Sequence, residues 1–328
     1  MSENLDFSRI ETLRDMHGLV SLAKLIGQVR GPKRVAVAAA EDDHVLEAVH
    51  EARLEGMIHP ILFGDETRIK AIAEEAGIDP ARFEIVHAAN FNEAAEKAVR
   101  AVSEGRAEII MKGLLDTATI LRAVLNKDWG LRTGKLLSHV LLFDPPGNYK
   151  RLFLMSDGAM NIEPDLKAKI EIVQNAVSVA HAIGLEQPRV AMLAAIEVVN
   201  PEMSTAVDDA IISKMGDRGQ IKGAVIDGPL ALDNAVSQES AEIKKIVSPV
   251  AGHADVLIVD NIDVGNVFYK TLVYFAQAQV AGVIMGAAAP MILTSRADSS
   301  QTKFNSVALA CILSERGDFP KPAPVSPG

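Results

Sequence analysis

Apolar runs that suit strands alternate with amphipathic stretches that suit helices along most of the chain. Arg34 to Ala39 reads as a buried strand, and Asp42 can cap a helix that stops at Gly56. Pro60 to Phe63 predicts the next strand and Asp65 to Ala76 the next helix. Phe83 to His87 and Glu108 to Met111 continue the strands, with a helix over Asn92 to Glu104 between them. This is the pattern of a parallel sheet covered by crossover helices. It breaks once, where Leu137 to Phe143 and Arg151 to Met155 flank Asp144-Pro-Pro-Gly-Asn148. Two prolines and a glycine make a turn, so these runs read as a hairpin.

Beyond the hairpin, Pro164 and Asp165 open a helix whose apolar stripe is Leu166, Ile170, Val173, Val177 and Ala180, with Gly184 as its stop. Strands at Val190 to Ile196, Ala224 to Ile226, Val256 to Val259 and Val283 to Met285 follow. Helices at Glu202 to Lys214, Ser237 to Ile246 and Val267 to Ala278 separate them, and Ser299 to Leu313 reads as the last helix. A proline-rich end, PKPAPVSPG, is expected to lack regular structure.

A length of 328 residues favours two domains. The boundary is placed before the hairpin, giving a first α/β domain over 1–136 plus 288–316 and a second over 137–287, with 317–328 as a disordered tail. Aromatic residues are 4% against 48% hydrophobic, so the core must be built from Ala, Val, Ile, Leu and Met, which suit mainly parallel sheets flanked by helices. The net charge of −10 argues against binding nucleic acid or an anionic membrane, and no apolar run is long enough to span a bilayer. Cys311 is the single cysteine, which excludes an intrachain disulfide and a cysteine zinc cluster, and it reads as a small buried hydrophobe. The 8 histidines show no metal spacing such as HExxH, so no metal is expected. The start lacks an apolar signal core, which makes the cytoplasm the expected location.

In open parallel sheets ligands bind at the carboxyl ends of strands, so loops there carry the most weight. Met111-Lys-Gly-Leu-Leu-Asp-Thr117 follows a strand and precedes a helix; Lys112 offers charge and Thr117 a hydroxyl, though an ordinary capped turn would look the same. In Gly130-Leu-Arg-Thr-Gly134, Arg132 could fork onto a phosphate or make a surface ion pair. In Ser156-Asp-Gly-Ala-Met-Asn-Ile162, Asp157 and Asn161 could bind a ligand or satisfy loop backbone. Asp263 to Lys270 includes Asn266 near a helix start. Leu293-Thr-Ser-Arg-Ala-Asp-Ser-Ser300 gathers hydroxyls, Arg296 and a carboxylate at a helix N-terminus, which fits either phosphate recognition or a richly capped helix.

At these loops the chain resembles the phosphate acetyl/butyryltransferase family, and its butyryl branch most closely. The matching strings include MKGLLDT, GLRTGKLLSHV, SDGAMNIEPDLKAKIEIVQNAV, DGPLALDNA, VGNVFYK and LTSRADS, within a likeness running from about residue 33 to about residue 313. The resemblance implies a two-domain α/β fold on an isocitrate/isopropylmalate dehydrogenase-like scaffold, with an active cleft between domains. It also implies a homodimer or higher homo-oligomer. The implied reaction is acyl-CoA plus phosphate giving acyl phosphate plus CoA, with CoA as a substrate and no cofactor. Ser295 and Arg296 match residues at the reacting phosphate, and the region of Arg132 matches a further phosphate-binding arginine. Lys112, Thr117, Asp157, Asn161 and Asn266 are the other expected substrate contacts. The acetyl branch carries an aspartate, the proposed thiol base, where this chain has Thr302; the nearest carboxylate is Asp298. Rival readings are an acetyl-preferring enzyme, a metal-dependent dehydrogenase on a related scaffold, and a binding protein that has lost activity. No GxGxxG follows a strand to support the dehydrogenase, and the Ser-Arg loop is intact.

Overall fold

The computed structural model describes residues 6–7, 10–147, 149 and 151–320, so most of the proline-rich end lies outside the described residues. The chain is mixed α/β, with mostly parallel strands flanked by helices. It divides into two compact units: one within Met1–Arg9, His17–Lys135 and Ala281–Gly328, the other within Ile10–Met16 and Leu136–Val280.

The first unit opens with α1 (Met16–Arg30), β1 (Lys33–Ala38), α2 (Asp43–Leu54), β2 (Ile58–Gly64) and α3 (Glu66–Glu75). It continues with β3 (Glu84–His87), α4 (Phe91–Ser103), β4 (Ile109–Lys112) and α5 (Thr117–Val124). The second unit holds β5 (Ser138–Asp144), β6 (Phe153–Ser156), α6 (Leu166–Ala182), β7 (Arg189–Leu193) and α7 (Ser204–Asp217). Then follow β8 (Val225–Leu230), α8 (Leu232–Val236), α9 (Gln238–Ile243), β9 (Val256–Ile258) and α10 (Ile262–Tyr274). β10 (Gln279–Met285) leads back into the first unit, which closes with β11 (Met291–Ile292) and α11 (Ser300–Arg316).

Strand order in the first unit is β3-β2-β1-β4-β11-β10. β1 pairs in parallel with both β2 and β4, and β4 with β11; only the β10–β11 pair is antiparallel. The chain winds outward from β1 to β3, then returns to place β4 on the other flank of β1. The reversal leaves a switch point between the carboxyl ends of β1 and β4, the place where open α/β sheets hold ligands. In the second unit the order is β5-β6-β9-β7-β8, with β5 and β6 antiparallel as the hairpin reading expects and the remaining pairs parallel.

Most elements follow from their caps and apolar spacing. The Asp42, Asp65 and Asp165 side chains accept N–H bonds at the starts of α2, α3 and α6. The buried face of α6 runs through Ile172, Val173, Ala176, Val177 and Ala180, whereas Leu166 and Ile170 are half-buried. The sequence expectations change in several places, among them β8, which runs on to Leu230, and β10, which starts at Gln279. The helix α1 was not foreseen, although Leu19, Ala23 and Ile26 repeat at helical spacing and are fully buried. β7 ends at Leu193 rather than Ile196, because its register against β8 shifts between Ala191 and Leu193 and the ladder stops. α8 is an additional short helix, and α10 starts at Ile262, where the Asn261 side chain accepts from the Val264 N–H (3.1 Å).

Cys311 is completely buried on α11, and burial pushes its thiol up to about 12, which makes it inert. Among the described residues no helix is long and apolar enough to cross a membrane.

Candidate active site

Lys112 ends β4 at the switch point, and it is buried despite its charge. Its ammonium donates to the carbonyls of Gly113 and Leu115, each at 3.1 Å. The loop behind it presses on the loop after β1: the Gly113 N–H donates to Ala38 (2.8 Å) and the Leu114 N–H to Ala39 (2.7 Å). A Cβ on Gly113 would stand 2.0 Å from the Ala39 carbonyl oxygen, so only glycine lets the two loops approach. Asp116 then caps α5, accepting from the Thr119 N–H and hydroxyl, and Thr117 begins the helix, half-buried.

The loop between β11 and α11 brings the second group. The Asp298 carboxylate accepts from the Ser295 N–H (2.7 Å), and the Asp298 N–H returns to the Ser295 carbonyl (3.1 Å). Ser299 caps α11 by accepting from the Thr302 N–H, so the helix N-terminus points its remaining amides toward this loop. Ser295 and Arg296 are exposed, and Arg296 makes no ion pair among the described residues.

Lys303, which sequence reasoning passed over, holds this loop from beneath. It is 2% exposed, and its ammonium donates to the carbonyls of Asp298 (2.5 Å) and Ser295 (3.4 Å). A lysine in the first turn of a helix ordinarily reads as a solvated side chain, and no sequence signal marks this one as buried. Burial depresses the Lys303 ammonium against the opposing carboxylates of Asp42, Asp298 and Asp43. Lys112 is depressed by burial and then by the positive charges of Arg296 and Lys303, with Asp42 and Asp116 opposing. Arg296 of the β11–α11 loop and Lys303 of α11 therefore both repel Lys112 of β4 at the switch point. That repulsion is relieved by an anion, and helix N-termini of α2, α5 and α11 open at the same edge.

Arg132 is exposed and makes no ion pair among the described residues. Its loop is tied to the segment after β10: the Thr133 hydroxyl donates to the Gly286 carbonyl (2.5 Å), and the Ala288 N–H to the Leu131 carbonyl (2.9 Å).

The other expected residues lie in the second unit. Asp157 is buried, and its carboxylate accepts from the N–H groups of His139, Ala159, Met160 and Asn161 at 3.0–3.1 Å. The Asn161 amide donates to Asp157 (2.5 Å) and to the Leu137 carbonyl (2.9 Å). Of the two uses open to these side chains, the described contacts show the backbone one: they build the loop. Asn266 sits on α10 beside Gly265, where a Cβ would lie 2.2 Å from the Asp157 carbonyl oxygen. The helix thus rests directly on the Asp157 loop.

Among the described residues, Asp42, Asp43 and His44 bring three potential ligand atoms within 4.8 Å of one another. Their side chains make local bonds. The Asp42 carboxylate caps α2 (2.9 Å to the Val45 N–H), and Asp43 accepts from the His44 N–H (2.8 Å).

The family described as phosphate acetyl/butaryl transferase matches this chain over residues 19–100 and 90–311. The chain is 53% identical over 281 residues to a phosphate butyryltransferase of Clostridium acetobutylicum, covering 86% of this chain and 93% of that one. It is 46% identical over 292 residues to a phosphate acetyltransferase of Thermotoga maritima, covering 89% and 99%. The structure of a branched-chain phosphotransacylase from Enterococcus faecalis V583 superimposes with a TM-score of 0.77 at 35% identity, covering 86% of this chain and 99% of that one.

Proposed function

The chain belongs to the phosphate acetyl/butaryl transferase family and is an acyltransferase that exchanges coenzyme A and phosphate on an acyl group, and from that premise we propose that its preferred donor is a short chain of the butyryl kind. The proposed reaction is butyryl-CoA plus phosphate giving butyryl phosphate plus CoA. The observation that carries the site assignment is the cationic group at the switch point: buried Lys112 and Lys303 beside exposed Arg296, which makes no ion pair among the described residues.

A phosphate held by Arg296 and Arg132 presents one oxygen to the thioester carbonyl carbon. The new C–O bond forms as the carbonyl electrons move to oxygen, where the Ser295 hydroxyl can donate to the oxyanion. Collapse breaks the C–S bond, and CoA leaves as a thiolate that takes a proton from solvent or a nearby acid. The reverse direction needs a thiolate, which is a minor fraction of a thiol of pKa about 8.5 at neutral pH. Nearby cations raise that fraction. Transfer is direct, in a ternary complex, so positioning supplies much of the acceleration. Asp298 holds the Ser295 backbone, which supports a structural part for its carboxylate. CoA is a substrate, no cofactor is required, and the cationic side chains supply the positive charge that a metal would otherwise bring. We further propose the two-domain scaffold of isocitrate and isopropylmalate dehydrogenases, a homodimer or higher homo-oligomer, and a cytoplasmic enzyme that binds neither nucleic acid nor membrane.

The test is release of free thiol from acetyl-, butyryl- and longer acyl-CoAs, with and without phosphate, before and after exhaustive chelation. Phosphate-dependent release that peaks near the butyryl chain and survives chelation is expected. Release that needs a divalent ion, or that peaks at acetyl, would overturn the corresponding part of the reading.

A further inference from the structure

The first unit carries a cavity of about 420 Å³ at the amino ends of β1 to β3, the sheet edge opposite Lys112 and Ser295. Arg34 of β1 and His59 of β2 are register partners on its wall, and Glu84 opens β3. Arg53 reaches it from the last turn of α2, and Arg82 from the 3₁₀ turn Pro80–Arg82. Three guanidinium groups and one carboxylate thus line one space, in a chain whose net charge is −10.

Carboxylates nearby do not neutralise this group. Arg34 meets Glu84 at 3.9 Å and Arg82 meets Asp79 at 3.4 Å, both between exposed side chains, where ion pairs are weak. Arg53 makes no ion pair among the described residues. His50 feels the surplus: burial first, and then the charges of Arg53 and Arg82, hold its imidazole below the ordinary range. A helix C-terminus favours a cation, which accounts for Arg53 alone. It does not account for arginines that converge from a strand, a helix and a turn. Like charges gathered in a cleft attract and are relieved by an anion.

The lining also limits what that anion is. Among the described lining residues there is no hydroxyl, carboxamide or phenyl group to read a sugar or a base. Pro60 and Ile61 complete the wall and are buried and apolar. Recognition rests on guanidinium forks, each offering paired donors to phosphate oxygens. Three forks offer more donors than the terminal oxygens of one phosphate can use, which favours a ligand with two phosphate groups.

We propose that this cavity is an anion site, separate from the acyl-transfer site, that binds a small compound carrying two phosphate groups. The proposal goes beyond the acyl-transfer reading and does not depend on it. Inorganic diphosphate is the probe, titrated by calorimetry into the whole protein without acyl-CoA, so that nothing turns over. Wild-type protein should bind it. Arg53→Ala should weaken binding by about tenfold or more, the loss of one charge-assisted contact. Arg82→Ala changes an exposed side chain and should do the same, so it keeps the question answerable if Arg53→Ala fails to fold. Arg296→Ala should keep this binding event, which separates the cavity from the β11–α11 loop. Arg122→Ala, at an exposed position on α5 outside the cavity, should also keep it. The proposal is overturned if wild-type protein does not bind diphosphate, or if Arg53→Ala and Arg82→Ala both bind it as wild type does. Equal weakening by Arg122→Ala would reduce the effect to general surface charge and overturn it. Citrate bound more tightly than diphosphate would make the site one for carboxylates, which overturns it too. Phosphate-dependent thiol release is measured on the same samples, and Arg53→Ala and Arg82→Ala should keep the wild-type kcat/KM. A folded variant that loses both binding and release would place the cavity in the transfer machinery and overturn its separateness. Diphosphate binding that responds to Arg53 and Arg82 in a wild-type protein that releases no thiol would defeat the transfer reading and leave the anion site standing.

Discussion

Arg296 and Lys303 divide the work of the β11–α11 loop between an exposed head and a buried pin. The Lys303 ammonium fixes the carbonyls of Ser295 and Asp298, and Arg296 is left without an ion pair among the described residues. If the guanidinium binds phosphate, its planar fork matters as well as its charge. Arg296→Lys is expected to lose much of kcat/KM for phosphate and Arg296→Ala more, by roughly tenfold or beyond for a charge-assisted contact. The KM for acyl-CoA should change less. Normal kinetics for both substrates in Arg296→Ala would move the phosphate site away from this loop. A second expectation concerns Lys112. Its ammonium is depressed by burial and by the charge of Arg296, so it loses its proton at a lower pH than an ordinary lysine. Phosphate affinity should therefore fall on the alkaline side below the usual lysine range. Arg296→Ala removes one depressing charge, so that alkaline limb should move to higher pH in whatever activity remains. A limb that does not move would show that Lys112 is not the group titrating.

Elements were legible where a local signal sets both ends. α2 and α3 have aspartate caps, and the reading of Asp42 and Asp65 placed their starts to within a residue. The hairpin was legible from its proline turn. The end of β7 was not, because a register shift against β8 is a property of two strands and leaves no mark on one. The segments of Lys112 and Ser295 were legible as Gly- and Ser-containing stretches that follow strands, whereas Arg132 lies in a loop between α5 and β5. Lys303 was hidden because its burial comes from the fold of the loop over it. Gly113 shows how tightly the elements set the site. Its missing Cβ lets the loop after β4 lie on the loop after β1. Gly113→Ala should lower stability by about 1–3 kcal/mol, the usual cost of forcing atoms into a packed site. Chemical unfolding would measure that fall, and turnover should drop with it because Lys112 moves. An unchanged unfolding midpoint would mean that the two loops part easily.

At the scale of the whole molecule, the chain is acidic, and one of its carboxylates is kept out of water. Asp209 on α7 is 2% exposed, and burial raises its pKa to about 8. The nearby Lys169 opposes this, and the Asp260 and Asp208 charges reinforce it. Burial would lower the Lys169 ammonium, but its bonds to Asp260 and Asp208 prevail and raise it, so the lysine stays charged and committed to those two partners. The consequence for stability has a definite sign. An unfolded aspartate releases its proton near its ordinary value of 3.8, whereas folded Asp209 keeps it until about 8. Between those two values the folded state holds the extra proton, so the contribution of Asp209 to stability falls as pH rises across that window. The effect is complete above it and absent below it. Asp209→Asn cannot ionise, so it should flatten this slope and raise the melting temperature at pH 8 more than at pH 5. The size should be on the order of a few kcal/mol at the alkaline end, reduced by whatever solvent reaches the opened site. Parallel melting curves of the two proteins from pH 5 to pH 8.5 decide the matter. If they keep a constant separation, Asp209 is ionised in the folded protein throughout and Lys169 is its working partner after all.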